Sequence, residues 1–259
     1  MNQNIRNFKK YQNLLAELIK KDIKLKYRKS YLGILWTLLE PFMTMLVLSV
    51  VFSKIYGKSD KTFPVYILTG RLLYTFFANA TKAAMKSIRA NGQMIKKVYV
   101  PKYIYPLSSV LAQYVTFIIS LLVLVAVAVV LKVKPTFYLW EAIIPLIILL
   151  VMVMGMGLIL STLAVFFRDL EYLWGVLLMM IMYCSAIFYV PERVFKTGFE
   201  WVLQYNPLYA VILNFRNAVL DGQPLNSGAL LYSIGFSIAA LIIGIVLFYK
   251  NQDKFILNL

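Results

Sequence analysis

The sequence contains no histidine and a single cysteine, Cys184. Those two shortages exclude histidine-based acid–base catalysis, a structural zinc site and any intrachain disulfide. Charge is scarce as well: 15% of the 259 residues are Asp, Glu, Lys or Arg, against about 25% in an ordinary soluble domain. In their place stand hydrophobic residues, 61% of the chain, a composition foreign to soluble globular domains. The few charges are lopsided, 27 basic against 11 acidic, for a net +16. So strong a basic excess on so apolar a chain is crowded into short segments, the pattern of membrane topology. Nucleic-acid binding needs a solvated basic surface, and the long uncharged runs leave little room for one.

A span needs about 20 predominantly apolar residues to cross a hydrocarbon core roughly 30 Å thick. Six stretches qualify: 31–52, 63–80, 105–131, 142–167, 172–191 and 225–249. Four carry no charge, and the first two carry one each, Glu40 and Arg71. A seventh apolar run, 201–215, is too short to span and is split by Asn206-Pro207, which favours a re-entrant hairpin. Lys and Arg crowd before Tyr31 and between Lys82 and Lys102, which places those segments and both termini in the cytoplasm. No cleavable signal peptide opens the chain, since the first apolar run follows some thirty mixed, Lys-rich residues.

Before the first span, helical spacing places Phe8, Tyr11, Leu14, Leu15, Leu18, Ile19 and Leu25 on one face. Lys10, Lys20, Lys21, Lys24 and Arg28 fall on the other. This is the pattern of a helix lying in the cytoplasmic interface with its lysines toward anionic headgroups, as a plain anchor or as a transmitter of motion. The expected fold is therefore an all-α polytopic membrane protein. Residues 1–30 form an amphipathic interface helix, and 31–259 a six-helix transmembrane domain with a re-entrant helix pair at about 192–222, before the last span.

Gly57-Lys58-Ser59 only resembles the end of a phosphate-binding loop: the earlier glycine is missing and no strand precedes it. No cofactor is expected in this chain. Gly155-Met156-Gly157 lacks the third glycine of a dinucleotide fingerprint and reads as a close helix contact. Ion-coupled carriers bury several titratable groups along their path, whereas only Glu40 and Arg71 lie within these spans. By helical rise their depths differ by only about 5 Å, which fits either an ion pair or two charges facing water independently.

Two cytoplasmic segments are richer than connectors need to be. Segment 82–102 holds an Asn91-Gly92 turn and ends at Pro101, and Arg168-Asp169-Leu170-Glu171 forms a tight turn. Either serves as a docking knob for a partner, or merely as positive-inside anchoring and as a helix cap at Asp169. The chain also carries 4 Trp, 18 Tyr and 17 Phe. Trp36, Tyr74, Phe76, Phe77, Tyr183, Phe188 and Tyr189 gather on the first, second and fifth spans. There they act as packing and belt residues, or as flat faces over which sugar rings slide.

Four ordered motifs carry a resemblance. Tyr27-Arg28-Lys29-Ser30-Tyr31-Leu32-Gly33-Ile34-Leu35-Trp36 with Glu40-Pro41 comes first, then Lys96-Lys97-Val98-Tyr99-Val100-Pro101-Lys102. Phe166-Phe167-Arg168-Asp169-Leu170 follows, and last Asn206-Pro207-Leu208-Tyr209 with Phe215-Arg216. Together they resemble the membrane subunits of ABC exporters for cell-surface polysaccharides, which move lipid-linked O-antigen, wall teichoic acid or rhamnose-rich polymers. The resemblance implies a homodimeric permease in the bacterial cytoplasmic membrane, working with two ATP-binding subunits that hold ATP and Mg on an undecaprenyl-linked polysaccharide. It further implies that 82–100 is the main coupling helix, with Ser87, Ile88, Arg89, Asn91, Gly92, Lys96 and Lys97 in contact with the ATPase. Arg168 and Asp169 make a second contact, and the seven aromatics line the channel. The chain departs from the family after Gly70, reading Arg71-Leu72-Leu73-Tyr74 where apolar residues and a Pro-Trp pair are usual.

An alternative is an intramembrane enzyme acting on lipid-linked sugars. The expected outer loops offer it only Asp60, Glu141, Glu192, Glu200 and Asp221, scattered rather than paired.

Overall fold

The computed structural model describes residues 3–28, 30–56, 62–97, 100–191 and 198–258, with side chains described from residue 11 onward and not for 52–56. Every regular element among them is helical. In chain order they are α1 (Gln3–Tyr27), α2 (Trp36–Tyr56), α3 (Phe63–Ala90), α4 (Gly92–Lys97), α5 (Ile104–Val130) and α6 (Ile143–Phe166). Then follow α7 (Leu170–Tyr183), α8 (Glu200–Gln204), α9 (Pro207–Arg216), α10 (Ser227–Asn251) and α11 (Phe255–Asn258). Short tight turns precede α2 and α6, and a wide π-type turn, Asn217–Asp221, follows α9. Residues Gly57, Lys58, Ser59, Asp60, Val98, Tyr99, Glu192 and the opening of the expected re-entrant segment lie outside the described residues.

Four helical stretches are long and apolar enough to cross a membrane: Gly33–Val51, Ile104–Val130, Phe137–Phe166 and Ser227–Asn258. Helix α3 has the length, 28 residues, but carries Arg71, Lys82, Lys86 and Arg89 along it. Helix α7 is apolar but only 14 residues long, and its path ends at Cys184. The chain then turns through Ala186, held at φ 47°, before the short helices α8 and α9. Asn206 and Pro207 separate those two, as their order in sequence requires: proline cannot continue the preceding helix and is well placed at the first turn of the next.

One core cluster runs through α3, α5, α6, α7 and α9, with Leu73, Leu149, Met152, Val153, Leu178 and Ile212 among its members. The tightest helix pair is α6 with α10. A Cβ on Gly155 would stand 2.5 Å from the backbone of Ala240 and Leu241, and one on Gly244 would stand 2.6 Å from the Gly155 carbonyl oxygen. Gly155 thus serves helix contact, as its place in an apolar run suggests. Gly157 does the same against α3, where a Cβ would meet that of Ala84 at 2.9 Å.

Helix α1 packs by Tyr11, Leu14, Leu15 and Leu18 on a second cluster made by Ile88, Ile95, Tyr105, Val165, Phe248 and Phe255. The apolar face ends earlier than its spacing suggests, for Leu25 is 53% exposed. Its place toward the bundle is taken by Asp22 and Lys26, one and two helical turns beyond Leu18. Asp22 accepts from Ser109 Oγ at 3.1 Å, and Lys26 donates to Gln113 Oε1 at 3.3 Å. Polar anchoring to α5 therefore replaces apolar packing at the end of α1.

Candidate functional site

At the end of the bundle where α3, α4, α6 and α7 meet, charge is organised rather than scattered. Arg89, near the C-terminus of α3, donates through Nη1 to Glu171 Oε1 at 3.1 Å and through Nε to the Ala164 carbonyl at 3.0 Å, with Nη2 directed at the same carbonyl. Lys86, one turn earlier, reaches Glu171 Oε2 at 3.3 Å. The last turn of α6 leaves carbonyls without helical partners, and the guanidinium takes one of them. The two segments singled out in the sequence are thus tied to each other through Glu171, a residue that sequence reasoning placed in the turn without a role. Its spacing from Arg89 carries no local signal, because the pair spans 82 positions.

Around this clamp the expected coupling residues divide in two. Ser87, Ile88 and Gly92 are buried, while Arg89 and Asn91 are half-buried. Asn91 donates to the Ser87 carbonyl at 2.8 Å and accepts from Lys21 of α1 at 3.1 Å. These residues shape the turn and join it to α1. Lys96, Lys97, Arg168 and Asp169 are exposed and form the face open to a partner, flanked by exposed Phe166, Phe167 and Tyr172. Asp169 makes no side-chain cap to α7, so its carboxylate is not committed to the helix.

The seven aromatics divide as well. Tyr74, Phe76, Phe77 and Phe188 are buried, whereas Trp36 is 46% and Tyr183 58% exposed. Tyr189 is half-buried and donates from its hydroxyl to the Tyr183 carbonyl at 2.7 Å. Tyr74 donates to the Leu178 carbonyl at 2.8 Å, and Phe76 stacks on Phe117 with centroids 4.9 Å apart. Phe77 leans on Trp174, whose indole N–H donates to Thr81 Oγ1 at 3.0 Å. Within one copy of the chain, then, Trp36 and Tyr183 present open faces and the buried members knit α3 to its neighbours.

Glu40 and Arg71 border one small polar cleft between α1, α2, α3 and α5, together with Lys26, Thr75, Asn79 and Gln113. No ion pair joins the two among the described residues. The Arg71 guanidinium turns toward α7 instead, donating to Met182 Sδ at 3.2 Å and lying 5.8 Å from the Tyr74 ring centre. Glu40 is exposed, next to Pro41, which breaks the hydrogen-bond ladder inside α2.

A third polar centre holds the α8–α9 pair. Asn206 caps α9 by accepting from the backbone of Leu208 and Tyr209 at 3.0 and 3.2 Å, and donates to the Cys184 carbonyl at 2.8 Å. At the other end of α9, buried Arg216 donates to the carbonyls of Ala186 and Tyr66 at 2.9 and 3.1 Å. Its guanidinium lies 3.5 Å from the centre of the Tyr66 ring. An arginine closing an apolar ten-residue helix is the sequence signal for such a buried brace.

Residues 13–220 match the family model of the ABC-2 type transporter. The chain is 30% identical over 248 residues to the O-antigen export system permease protein RfbA of Klebsiella pneumoniae, covering 94% of this chain and 93% of that protein. It is 25% identical over 247 residues to the polysialic acid transport protein KpsM of Escherichia coli, covering 91% and 92% of the two chains. A more distant likeness, 21% over 235 residues, links it to the capsule polysaccharide export inner-membrane protein CtrC of Neisseria meningitidis serogroup B, covering 78% and 86%. The chain belongs to the ABC-2 type transporter family of membrane proteins.

Proposed function

We propose that this chain is the permease subunit of an ATP-driven exporter that moves a lipid-linked polysaccharide across the bacterial cytoplasmic membrane. The observation that carries the reading is the exposed face of Lys96, Lys97, Arg168 and Asp169, braced from behind by Arg89 and Glu171 on a greasy helical bundle. A knob that must transmit force needs rigid backing, and the Arg89–Glu171 link with the Ala164 carbonyl supplies it. In this reading two copies of the chain act with two ATP-binding subunits, which hold ATP and Mg. Closure of those subunits pushes on the α3–α4 and α6–α7 turns, and the motion opens a path between the two copies. Trp36 and Tyr183 offer sugar rings weak stacking along that path, and the polymer travels on an undecaprenyl carrier. Six crossings, with α3 and α7 added to the four long apolar stretches, an α8–α9 pair re-entering from outside and both termini in the cytoplasm complete the arrangement.

The test uses the complete exporter, purified with its ATP-binding subunit and placed in vesicles with lipid-linked glycan inside the accessible leaflet. Replacing Arg168 and Asp169 together by Ala leaves the assembly intact and collapses ATP-coupled export. Undiminished coupled export in that variant removes these residues from the mechanism. Glycan movement by the isolated chain, without any ATP-binding subunit, overturns the reading altogether.

A further inference from the structure

Helices α5 and α10 both lean on α6 and leave a groove between them. Leu107 and Val110 of α5 form one wall, Leu241 and Ile245 of α10 the other, and Met154 and Leu158 of α6 the floor. Close contacts fix the three helices in one register. A Cβ on Gly157 of α6 would stand 3.3 Å from Cγ2 of Val110, and one on Gly244 of α10 would stand 3.0 Å from Cβ of Leu158. Val110, Leu158 and Gly244 therefore lie at one depth, with Met154 and Leu241 further in. Toward the end of the bundle where α1 lies, the groove opens between Tyr103 and Tyr249, whose ring centres are 6.5 Å apart.

Among the described residues, no charged side chain lines the groove itself. Charge gathers at the mouth instead. Lys102, next to Tyr103, donates to the Gln252 carbonyl at 2.6 Å, which carries its ammonium across from α5 to the end of α10. That bond takes one of three N–H donors. Around Gln252, Lys250 and Lys254 outnumber the one acid, Asp253, and none of these four charges belongs to an ion pair among the described residues. Two tyrosines beside a lysine mark the level where hydrocarbon gives way to headgroups. From there the groove runs from Tyr103 to Val110 on α5 and from Tyr249 to Leu241 on α10. Those lengths are roughly 10 and 12 Å at 1.5 Å per residue, within the roughly 15 Å of one leaflet.

We propose that the groove between α5, α6 and α10 is a binding site for an anionic diacyl phospholipid of the leaflet on the α1 side, the cytoplasmic one in the orientation proposed above. One acyl chain lies in the groove, and the phosphate meets Lys102 beside the rings of Tyr103 and Tyr249. Depth and charge choose this occupant. A groove one leaflet deep houses the chain of a lipid whose headgroup stays at the interface, whereas the much longer chain of a polyprenyl lipid finds no wall beyond Val110 and Leu241. The basic excess at the mouth favours a net-negative headgroup over a zwitterionic one. A second copy of the chain, meeting this one face to face, would set those like charges against each other. Bound there, the lipid bridges the start of α5, just after α4, to the end of α10.

The complete exporter, stripped of lipid in detergent, is titrated separately with phosphatidylglycerol and phosphatidylcholine, and bound lipid is counted by native mass spectrometry. Phosphatidylglycerol is expected to bind about fivefold more tightly, the gain from one lysine near an anionic headgroup. Lys102→Gln keeps a donor for the Gln252 carbonyl and is expected to abolish that preference while leaving phosphatidylcholine binding unchanged. Ile245→Trp fills the groove from an exposed position, and a phosphatidylglycerol with a photoreactive acyl chain should label 154–158 and 241–249 in the parent but not in this variant. Equal affinity for the two phospholipids overturns the proposal, as does a Lys102→Gln variant that keeps the preference or a label that avoids both segments. Polyprenyl phosphate displacing that label more strongly than phosphatidylglycerol does, or an Ile245→Cys disulfide to a second copy, names a different occupant and overturns it too. ATP-driven export by the parent complex is scored separately: its absence refutes the exporter reading and leaves the lipid result standing.

Discussion

Arg89 and Glu171, 82 positions apart, meet at 3.1 Å and lock the end of α3 to the start of α7. The same guanidinium holds the Ala164 carbonyl at the end of α6, so one side chain joins three helices. Both side chains of the pair are only about a quarter exposed, at 27% and 28%, which shields the contact from screening water and salt. Arg89→Ala is expected to cost about 2 kcal/mol and Glu171→Gln about 1 kcal/mol, the larger loss reflecting the carbonyl left unpaired. The reversed pair, Arg89→Glu with Glu171→Arg, restores only part of the stability, because Glu cannot donate to Ala164 and an arginine at 171 faces Lys86. Melting temperatures of the purified exporter check the order parent, reversed pair, Arg89→Ala. ATPase activity should lose its response to substrate in the same order if the clamp transmits force.

Helices α6 and α10 approach through backbone. A side chain on Gly155 meets the main chain of Ala240 and Leu241, which cannot move aside as a flexible side chain does. Gly155→Val is expected to destabilise by about 2 kcal/mol or more through overpacking. Gly175, with nothing within 4 Å of an added Cβ, is the control, and Gly175→Ala should leave the melting temperature unchanged or slightly raised. Equal effects at the two positions would deny the close approach.

The brace at Arg216 depends on Gly70. A Cβ at position 70 would stand 2.6 Å from Nη2 of Arg216. That end of the side chain is held by the Tyr66 carbonyl at 3.1 Å and cannot retreat without giving up the bond. Gly70→Ala and Arg216→Met should therefore produce the same outcome, loosening of α9 seen as faster amide exchange over 207–216, and the double variant should be little worse than either alone. Additive effects would separate the two residues.

Acidity acts on the docking of α1. Burial, outweighing the hydrogen bond from Ser109 and the nearby Lys21, holds the Asp22 carboxyl above its ordinary value of 3.8. The folded state then binds a proton that the unfolded state has already lost, so stability falls as pH rises from about 4 through the raised value. Asp22→Asn keeps an acceptor for Ser109 and removes the buried charge. The variant is expected to melt higher than the parent at neutral pH and to lose the dependence of α1 docking on pH over the acidic range. A parent whose α1 is protected from proteolysis equally at pH 4 and pH 7 would contradict this.

Much of the fold was legible because it is written in local patterns. Runs of apolar residues set where α5, α6 and α10 lie, and the period of Tyr11, Leu14, Leu15 and Leu18 gave α1 its docked face. The Asn206-Pro207 break between α8 and α9 was visible for the same reason, since proline acts on its own neighbours. The charged turns after α3 and α6 could be seen as segments from their Asn91-Gly92 and Arg168-Asp169 pairs.

What joins those segments was not legible, because it is settled by residues far apart in sequence. Arg89 finds Glu171, Asp22 finds Ser109, Arg216 finds the carbonyls of Tyr66 and Ala186, and Arg71 turns to Met182 although Glu40 borders the same cleft. Burial of Tyr74, Phe76, Phe77 and Phe188 likewise reflects which face of each helix meets a neighbour, which aromatic content alone leaves open. Composition and periodicity determined that this chain is a bundle of greasy helices with its basic residues gathered in short segments, since solvation of each residue is a local property. Only the tertiary structure decided which charges are braced, which are exposed to a partner and which are left facing a cleft, since those depend on distances between helices.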